Sequence, residues 1–100
     1  MATPPLLKDD EVATRLEGLN WTRDEDTIVR ELEFEDFAGA IAFVNRVAEL
    51  AETHNHHPDI LIHGWNKVKL SLTNHAAGGL TEIDFDMAAR IEALGGRGDS

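Results

Sequence analysis

The longest periodic segment of the sequence predicts an amphipathic helix whose apolar face must pack against a second layer. After Asp36, apolar residues recur at spacings of three and four, at Phe37, Ala40, Ile41, Val44, Val47, Ala48 and Ala51. This spacing places them on one face of a helix of about five turns. Asp36 is a suitable N-cap residue. Pro58 limits the other end, because the residue before a proline avoids the helical conformation.

Strand patterns lie on both sides of this helix in the sequence. Before it, apolar and acidic residues alternate over residues 27–34, which predicts a strand with one solvent-exposed face. The acidic segment at residues 23–26 is the predicted turn from a preceding strand that opens at Trp21. After the helix, residues 60–62 predict a short apolar strand. A further strand is predicted at residues 66–73, where Val68, Leu70 and Leu72 alternate with polar residues.

Two shorter helices complete the predicted order. Helical spacing predicts the first over residues 9–17, and the last begins where Thr81 and Asp84 have capping-box spacing and stops at Gly95-Gly96. The resulting order is α-β-β-α-β-β-α. It predicts an α+β fold in two layers, a four-stranded antiparallel sheet with three helices packed on one face. We expect residues 1–100 to form a single domain, with a loose N-terminal arm at residues 1–7 and a frayed tail at residues 96–100.

Composition and charge narrow the classes of function. The 100 residues are 42% hydrophobic and 28% charged, and the formal net charge is -10. Phosphate backbones and anionic lipid repel such a chain, so we expect no direct binding to nucleic acid and no membrane association. No apolar run approaches the roughly 20 residues of a membrane span. The sequence has no cysteine and no apolar signal core at its start, so a cytoplasmic location is the expectation.

The histidines are the strongest candidates for chemistry. Three lie in the run His54-Asn55-His56-His57-Pro58 at the predicted end of the long helix, and His63 and His75 follow. The ordinary pKa of histidine, about 6.5, suits proton transfer near neutral pH. Glu52 lies four residues before His56. If both residues are helical, the carboxylate and the imidazole share a face, and the carboxylate can orient the ring.

Two other interpretations compete with catalysis. A surface histidine at a helix C-terminus can merely complement the helix dipole. The spacing His54-x-His56 could also chelate a metal ion. However, the chain lacks cysteine and a His-Glu-x-x-His helix, and two histidines that are two residues apart on a helix diverge. The sequence therefore predicts no functional metal site.

One set of spaced residues resembles a family signature. The run Glu52-x-x-x-His56-His57-Pro58, then Trp65, His75 and Asp84, is similar to that of the pterin-4a-carbinolamine dehydratases. Similar segments elsewhere extend the resemblance over residues 20–92. The resemblance implies a four-stranded antiparallel sheet with three helices, in agreement with the order above. It also implies dehydration of a 4a-hydroxytetrahydropterin to a quinonoid dihydropterin in tetrahydrobiopterin recycling, with no cofactor.

The resemblance also implies which residues form the site. His56, His57 and His75 would be the catalytic residues, with His56 and His75 in proton transfer and His57 mainly in binding and orientation. The expected substrate-binding residues are Glu52, Asn55, Pro58, Trp65, Thr73 and Asp84. Glu52 would tune His56. Asp84 fits a helix cap equally well, and Trp65 fits ordinary aromatic packing.

Association with identical copies is a further expectation. A domain of this size has a small core, and the edges of its sheet have unpaired backbone groups. Members of the family that the chain resembles form dimers, or tetramers built from two dimers, and we expect a homodimer rather than a tetramer. Animal relatives are also dimerisation partners of a transcription factor. A coactivator module or a pterin-binding accessory protein without significant catalysis therefore stays open as an alternative.

Overall fold

The structure, a computed structural model, describes residues 3–95. Its elements follow the predicted order: α1 (Asp9–Leu16), β1 (Thr22–Asp24), β2 (Thr27–Glu33), α2 (Phe37–His54), β3 (Asp59–His63), β4 (Lys67–Leu72) and α3 (Glu82–Glu92). The predicted fold class is thus confirmed. The tail expected at residues 96–100 lies outside the described residues, as do residues 1 and 2 of the expected arm.

The four strands form one antiparallel sheet in the order β1-β2-β4-β3. Alternate residues of the two central strands, Ile28 and Leu32 of β2 and Val68 and Leu70 of β4, are buried on the same side of the sheet. All three helices contribute to the core cluster that contains these residues, with Val12 from α1, with Ala40, Phe43 and Val47 from α2, and with Phe85, Met87, Ala88 and Ile91 from α3. The helices therefore cover one face of the sheet, and the alternation of β2 and β4 follows from that one-sided burial.

The boundaries of α2 follow from the residues at its ends. Asp36 has an extended backbone, and its carboxylate accepts a hydrogen bond from the Gly39 N–H at 2.7 Å, which confirms the predicted N-cap. At the other end Asn55 adopts the left-handed conformation, with φ 52°. Asparagine tolerates this conformation better than most residues. The helix consequently ends at His54, and the chain changes direction before His56.

The β3–β4 hairpin determines which residues meet at each end of the sheet. Asp59 pairs with Ser71, and His63 pairs with Lys67. Residues 56–58 and residues 73–75 therefore leave the sheet at the same end. The turn at residues 64–66 lies at the opposite end, about 13 Å away along the five-residue strand β3.

Several contacts attach the outer segments to this framework. The Leu7 N–H donates to the Leu80 carbonyl at 2.9 Å, so the N-terminal arm is attached at its last residue rather than loose there. Arg15 of α1 pairs with Glu82 in the first turn of α3 at 2.5 Å. The hydrogen bond to Glu82 is the main reason that the pKa of Arg15 is raised.

None of the helices within residues 3–95 has the length and hydropathy that a bilayer crossing requires.

Candidate active site

A histidine, a buried carboxylate and a helix cap form one hydrogen-bonded group. His56 Nε2 lies 2.6 Å from Asp84 Oδ1. The Asp84 side chain is 0% exposed and that of His56 is 14% exposed. The second carboxylate oxygen, Oδ2, accepts from the Thr81 N–H at 2.8 Å and from the Thr81 hydroxyl at 3.2 Å. Asp84 therefore acts as the predicted cap of α3 and also contacts His56, a partner that the sequence did not predict.

This arrangement fixes the tautomer of His56. A buried carboxylate needs hydrogen-bond donors around it, and Thr81 already supplies two to Oδ2. Asp84 is therefore the acceptor toward His56, and the His56 Nε2–H donates to Oδ1. In neutral His56 the other ring nitrogen, Nδ1, then carries the lone pair. Nδ1 is the atom at which His56 can exchange a proton with a bound molecule.

The second histidine pairs with Glu52, which corrects the prediction that Glu52 would tune His56. His57 Nε2 lies 2.5 Å from Glu52 Oε2. The prediction assumed that Glu52 and His56 share one helix face, four residues apart. However, α2 ends at His54, and the left-handed Asn55 redirects the chain. His57 thus reaches back to Glu52, while His56 faces Asp84.

The two histidine–carboxylate pairs differ in burial. The His57 and Glu52 side chains are 54% and 77% exposed, whereas Asp84 is completely buried. Water screens an exposed pair, so the bond to Glu52 holds His57 weakly. The buried bond to Asp84 holds His56 more firmly, because no solvent competes for it.

His75 lies in the loop between β4 and α3, at the same end of the sheet as His56 and His57. Its side chain is exposed and makes no hydrogen bond to another group within residues 3–95. The loop itself is ordered by its neighbours. Asn74 accepts backbone hydrogen bonds from Gly78 and Gly79, and the Thr73 hydroxyl donates to the Asp26 carbonyl at 2.6 Å. The loop therefore presents the free His75 imidazole from a fixed backbone.

The other expected site residues divide into two groups. Asn55 and Pro58 flank the two histidines, Asn55 exposed and Pro58 half-buried. Trp65 instead lies in the β3–β4 turn with φ 60° and is 61% exposed. Because this turn is at the opposite end of β3, the structure does not bring Trp65 to the histidines of the same chain. Its exposure also excludes the alternative that it packs in the core of the monomer.

Sequence reasoning missed one residue of the group, Thr81. Its capping-box spacing to Asp84 was visible, but that spacing was interpreted only as a helix start. A carboxylate has two oxygens, so Asp84 can accept from the cap residue Thr81 with one oxygen and from a site residue with the other. This property could have identified Thr81 as a neighbour of the site.

Residues 3–95 contain no group of three or more His, Cys, Asp or Glu arranged to hold a metal ion. A depression of about 290 Å³ is lined by Glu31, Leu32, Glu33, His63, Lys67 and Val68. These residues belong to the end of the sheet that carries the β3–β4 turn, so the depression is separate from His56 and Asp84.

Comparison with known proteins identifies the family. Residues 5–94 match the family model described as pterin 4 alpha carbinolamine dehydratase. The chain is 50% identical over 93 residues to a Nocardia farcinica protein named "Putative pterin-4-alpha-carbinolamine dehydratase", covering 92% of this chain and 97% of that protein. The chain belongs to the pterin-4a-carbinolamine dehydratase family. An Acidobacterium capsulatum protein of the same name is 58% identical over 74 residues, which cover 74% of this chain and 79% of that protein.

Two solved structures are similar to the fold. One is described as a transcriptional coactivator/pterin dehydratase from Brucella melitensis, with a TM-score of 0.83 and 32% identity over 89% of this chain and 97% of that one. The other is described as a pterin dehydratase-like protein that is a RuBisCO assembly factor in the alpha-carboxysome. It has a TM-score of 0.61 and 26% identity over 78% of this chain and 89% of that one. The resemblance that the sequence suggested is confirmed at the level of family and fold.

Proposed function

We propose that this protein is a hydro-lyase that converts a 4a-hydroxytetrahydropterin into a quinonoid dihydropterin and water. In this reaction the C4a–O bond breaks, and the oxygen leaves as water after it takes up a proton. The adjacent ring nitrogen loses its proton, and its electron pair forms the new double bond to C4a. The reaction therefore needs one group that donates a proton and one that accepts a proton, both with pKa values near the ambient pH.

The observation that carries the proposal is the bond between His56 and the buried Asp84. It leaves Nδ1 of His56 available for proton exchange, held in a fixed direction by a carboxylate that solvent does not reach. In the proposal His56 and His75 divide the two proton transfers. His57 binds and orients the pterin, supported by Glu52. Asn55, Pro58 and Thr73 contribute further contacts to the substrate.

The biological setting of the proposal is the recycling of tetrahydrobiopterin in the cytoplasm. We propose that the reaction needs no cofactor, because both proton transfers can be assigned to side chains of this chain. We further propose that the protein works as a homodimer.

The direct test is stopped-flow measurement of the dehydration of a synthetic 4a-hydroxytetrahydropterin by the purified protein. We expect an acceleration proportional to the protein concentration, and we expect it to survive exhaustive treatment with a chelator. A rate equal to the spontaneous one would refute the proposal. A rate that chelation abolishes and one added metal ion restores would replace it with a metal-dependent mechanism.

A binding module is the second candidate function. The descriptions of the two similar structures as a coactivator and as an assembly factor favour it, and so do the exposed Ile60 and Leu61 of β3. The same stopped-flow experiment separates the candidates. A module without catalysis would bind a pterin or a protein partner while the dehydration rate stayed at its spontaneous value.

A further inference from the structure

Thr81 belongs both to the N-terminus of α3 and to the candidate active site. It is 0% exposed and has an extended backbone immediately before the first residue of α3. Its backbone N–H and its hydroxyl both donate to the same atom, Asp84 Oδ2. The hydroxyl is therefore directed at the carboxylate that holds His56.

The two oxygens of Asp84 have separate partners. Oδ2 faces Thr81, and Oδ1 faces His56 at 2.6 Å. The plane of the carboxylate fixes the direction of one oxygen once the other is held. Two donors on Oδ2 therefore also determine where Oδ1 accepts from the imidazole. Because Asp84 is completely buried, a donor that is removed from Oδ2 is not simply replaced by solvent.

We propose that Thr81 is a positioning residue, whose hydroxyl acts through Asp84 to hold the His56 ring in the tautomer and orientation that proton transfer requires. This inference rests on the proposed function and adds a residue to it. Thr81 touches neither the substrate nor the imidazole. Its effect is to keep the acceptor oxygen in place, in the way that an outer hydrogen-bond partner orients a ligating or catalytic histidine.

The exposed pair His57–Glu52 has no equivalent support. Glu52 is 77% exposed, and its bond to His57 is the one side-chain hydrogen bond that it makes within residues 3–95. The two histidines are thus held differently. His56 is held by a chain of three residues that ends in a helix cap, whereas His57 retains freedom to adjust to the substrate.

The test compares Thr81→Val, which keeps the shape and the backbone N–H but removes the hydroxyl, with Thr81→Ser, which retains the hydroxyl. Thr81→Ala is a second hydroxyl-free variant that places no methyl group against the carboxylate. Thr27→Val is the matched control, because the Thr27 hydroxyl donates at 2.9 Å to the Asp24 carbonyl in the β1–β2 turn. Each variant is measured by kcat, KM, thermal unfolding and the ¹⁵N chemical shifts of the His56 ring.

In the hydroxyl-free variants we expect kcat to fall roughly tenfold to a hundredfold, with KM changed by less than about threefold, because positioning is lost and binding is not. The ring shifts of His56 should move toward those of a mixture of tautomers. Thr81→Ser should restore both properties, and Thr27→Val should alter neither, even if it lowers the unfolding temperature as much.

The ring shifts separate this inference from the proposed function, since they are measured without substrate. If the wild type shows no dehydration, the proposed function fails, and the shifts still decide the role of Thr81. Unchanged His56 shifts in Thr81→Val or Thr81→Ala overturn the inference. Changed shifts with an unaltered kcat overturn it as well, and so does a kcat that Thr81→Ser fails to restore.

Discussion

The histidines of this protein differ in what holds them, and this difference predicts their individual contributions. His56 is fixed by a buried carboxylate, His57 is paired with an exposed one, and His75 projects from an ordered loop. A proton-transfer group needs a defined direction and a suitable pKa. A binding group mainly needs to contact the substrate.

Replacement of either proposed proton-transfer histidine should abolish most of the activity. We expect His56→Ala and His75→Ala each to lower the dehydration rate by roughly a hundredfold or more, the usual scale for a general acid or base. Circular dichroism should show that both variants remain folded. His54→Ala is the control, because His54 is an exposed residue at the end of α2. Wild-type rates in the two folded site variants would remove the proposed mechanism.

Replacement of Asp84 should lower the free energy of unfolding more than replacement of Glu52. In the wild type, both oxygens of the completely buried Asp84 accept hydrogen bonds, from Thr81 and from His56. Asp84→Asn replaces one of these oxygens with an amide nitrogen, which cannot accept. We expect a loss of about 1–3 kcal/mol in the free energy of unfolding. Glu52→Gln alters an exposed pair, and its loss should stay below about 1 kcal/mol. Urea unfolding measures both values, and equal losses would contradict the difference in burial.

At the scale of elements, periodicity sufficed to predict the fold because burial on one side imposes it. Ala40, Val47 and Ala51 of the predicted repeat are buried, and so are alternate residues of β4, because the core lies on one face of each element. Phe37 and Ala48 of that repeat are exposed, and the buried Phe43 was not part of it. Asp36 marked the start of α2 for a local reason that the structure bears out. The end of α2 was predicted wrongly, because the helix stops at His54, where the left-handed Asn55 follows, and not at the residue before Pro58. Both kinds of signal depend on neighbours within a few residues.

The partners of the site residues could not be predicted in the same way. Glu52 was expected to face His56, and it faces His57 because one residue between them, Asn55, is left-handed. The contact between His56 and Asp84 joins residues 28 positions apart. Such a contact depends on how α2 and α3 pack together, which local spacing does not contain.

The backbone of Asn55 is thus a determinant of the site, and it gives a prediction for α2 as an element. Asn55→Val introduces a β-branched residue at φ 52°, and we expect it to lower the free energy of unfolding by about 1–2 kcal/mol. Asn55→Gly keeps the left-handed turn and should leave stability nearly unchanged. Thermal unfolding of the two variants checks this, and similar values would show that the turn is not strained.

Asn55→Gly also tests the proposed contact of Asn55 with the substrate. The variant removes the side chain while it retains the backbone that directs His56 and His57. A raised KM with an unchanged unfolding temperature would assign the side chain to substrate binding. An unchanged KM would leave Asn55 with its structural role alone.

At the scale of the whole molecule, the outer edge of β3 has no partner strand within residues 3–95. β3 is an outer strand of the sheet, and its Ile60 and Leu61 side chains are 37% and 53% exposed. An outer strand presents unpaired N–H and C=O groups that favour pairing with another strand. If two copies of β3 pair antiparallel about Leu61, Asp59 lies opposite the partner subunit's His63, which gives the pairing a favourable register.

We therefore expect a symmetric homodimer through β3, and a tetramer is disfavoured because the charge of -10 on each chain accumulates at every further interface. Sedimentation equilibrium in moderate salt should show twice the monomer mass at tens of micromolar protein. Leu61→Lys, which places a charge on the edge strand, should give monomers. Phe37→Lys, a change at an equally exposed apolar residue on α2, should remain dimeric. A monomeric wild type would show that the fold needs no partner, and a dimeric Leu61→Lys variant would place the interface away from β3.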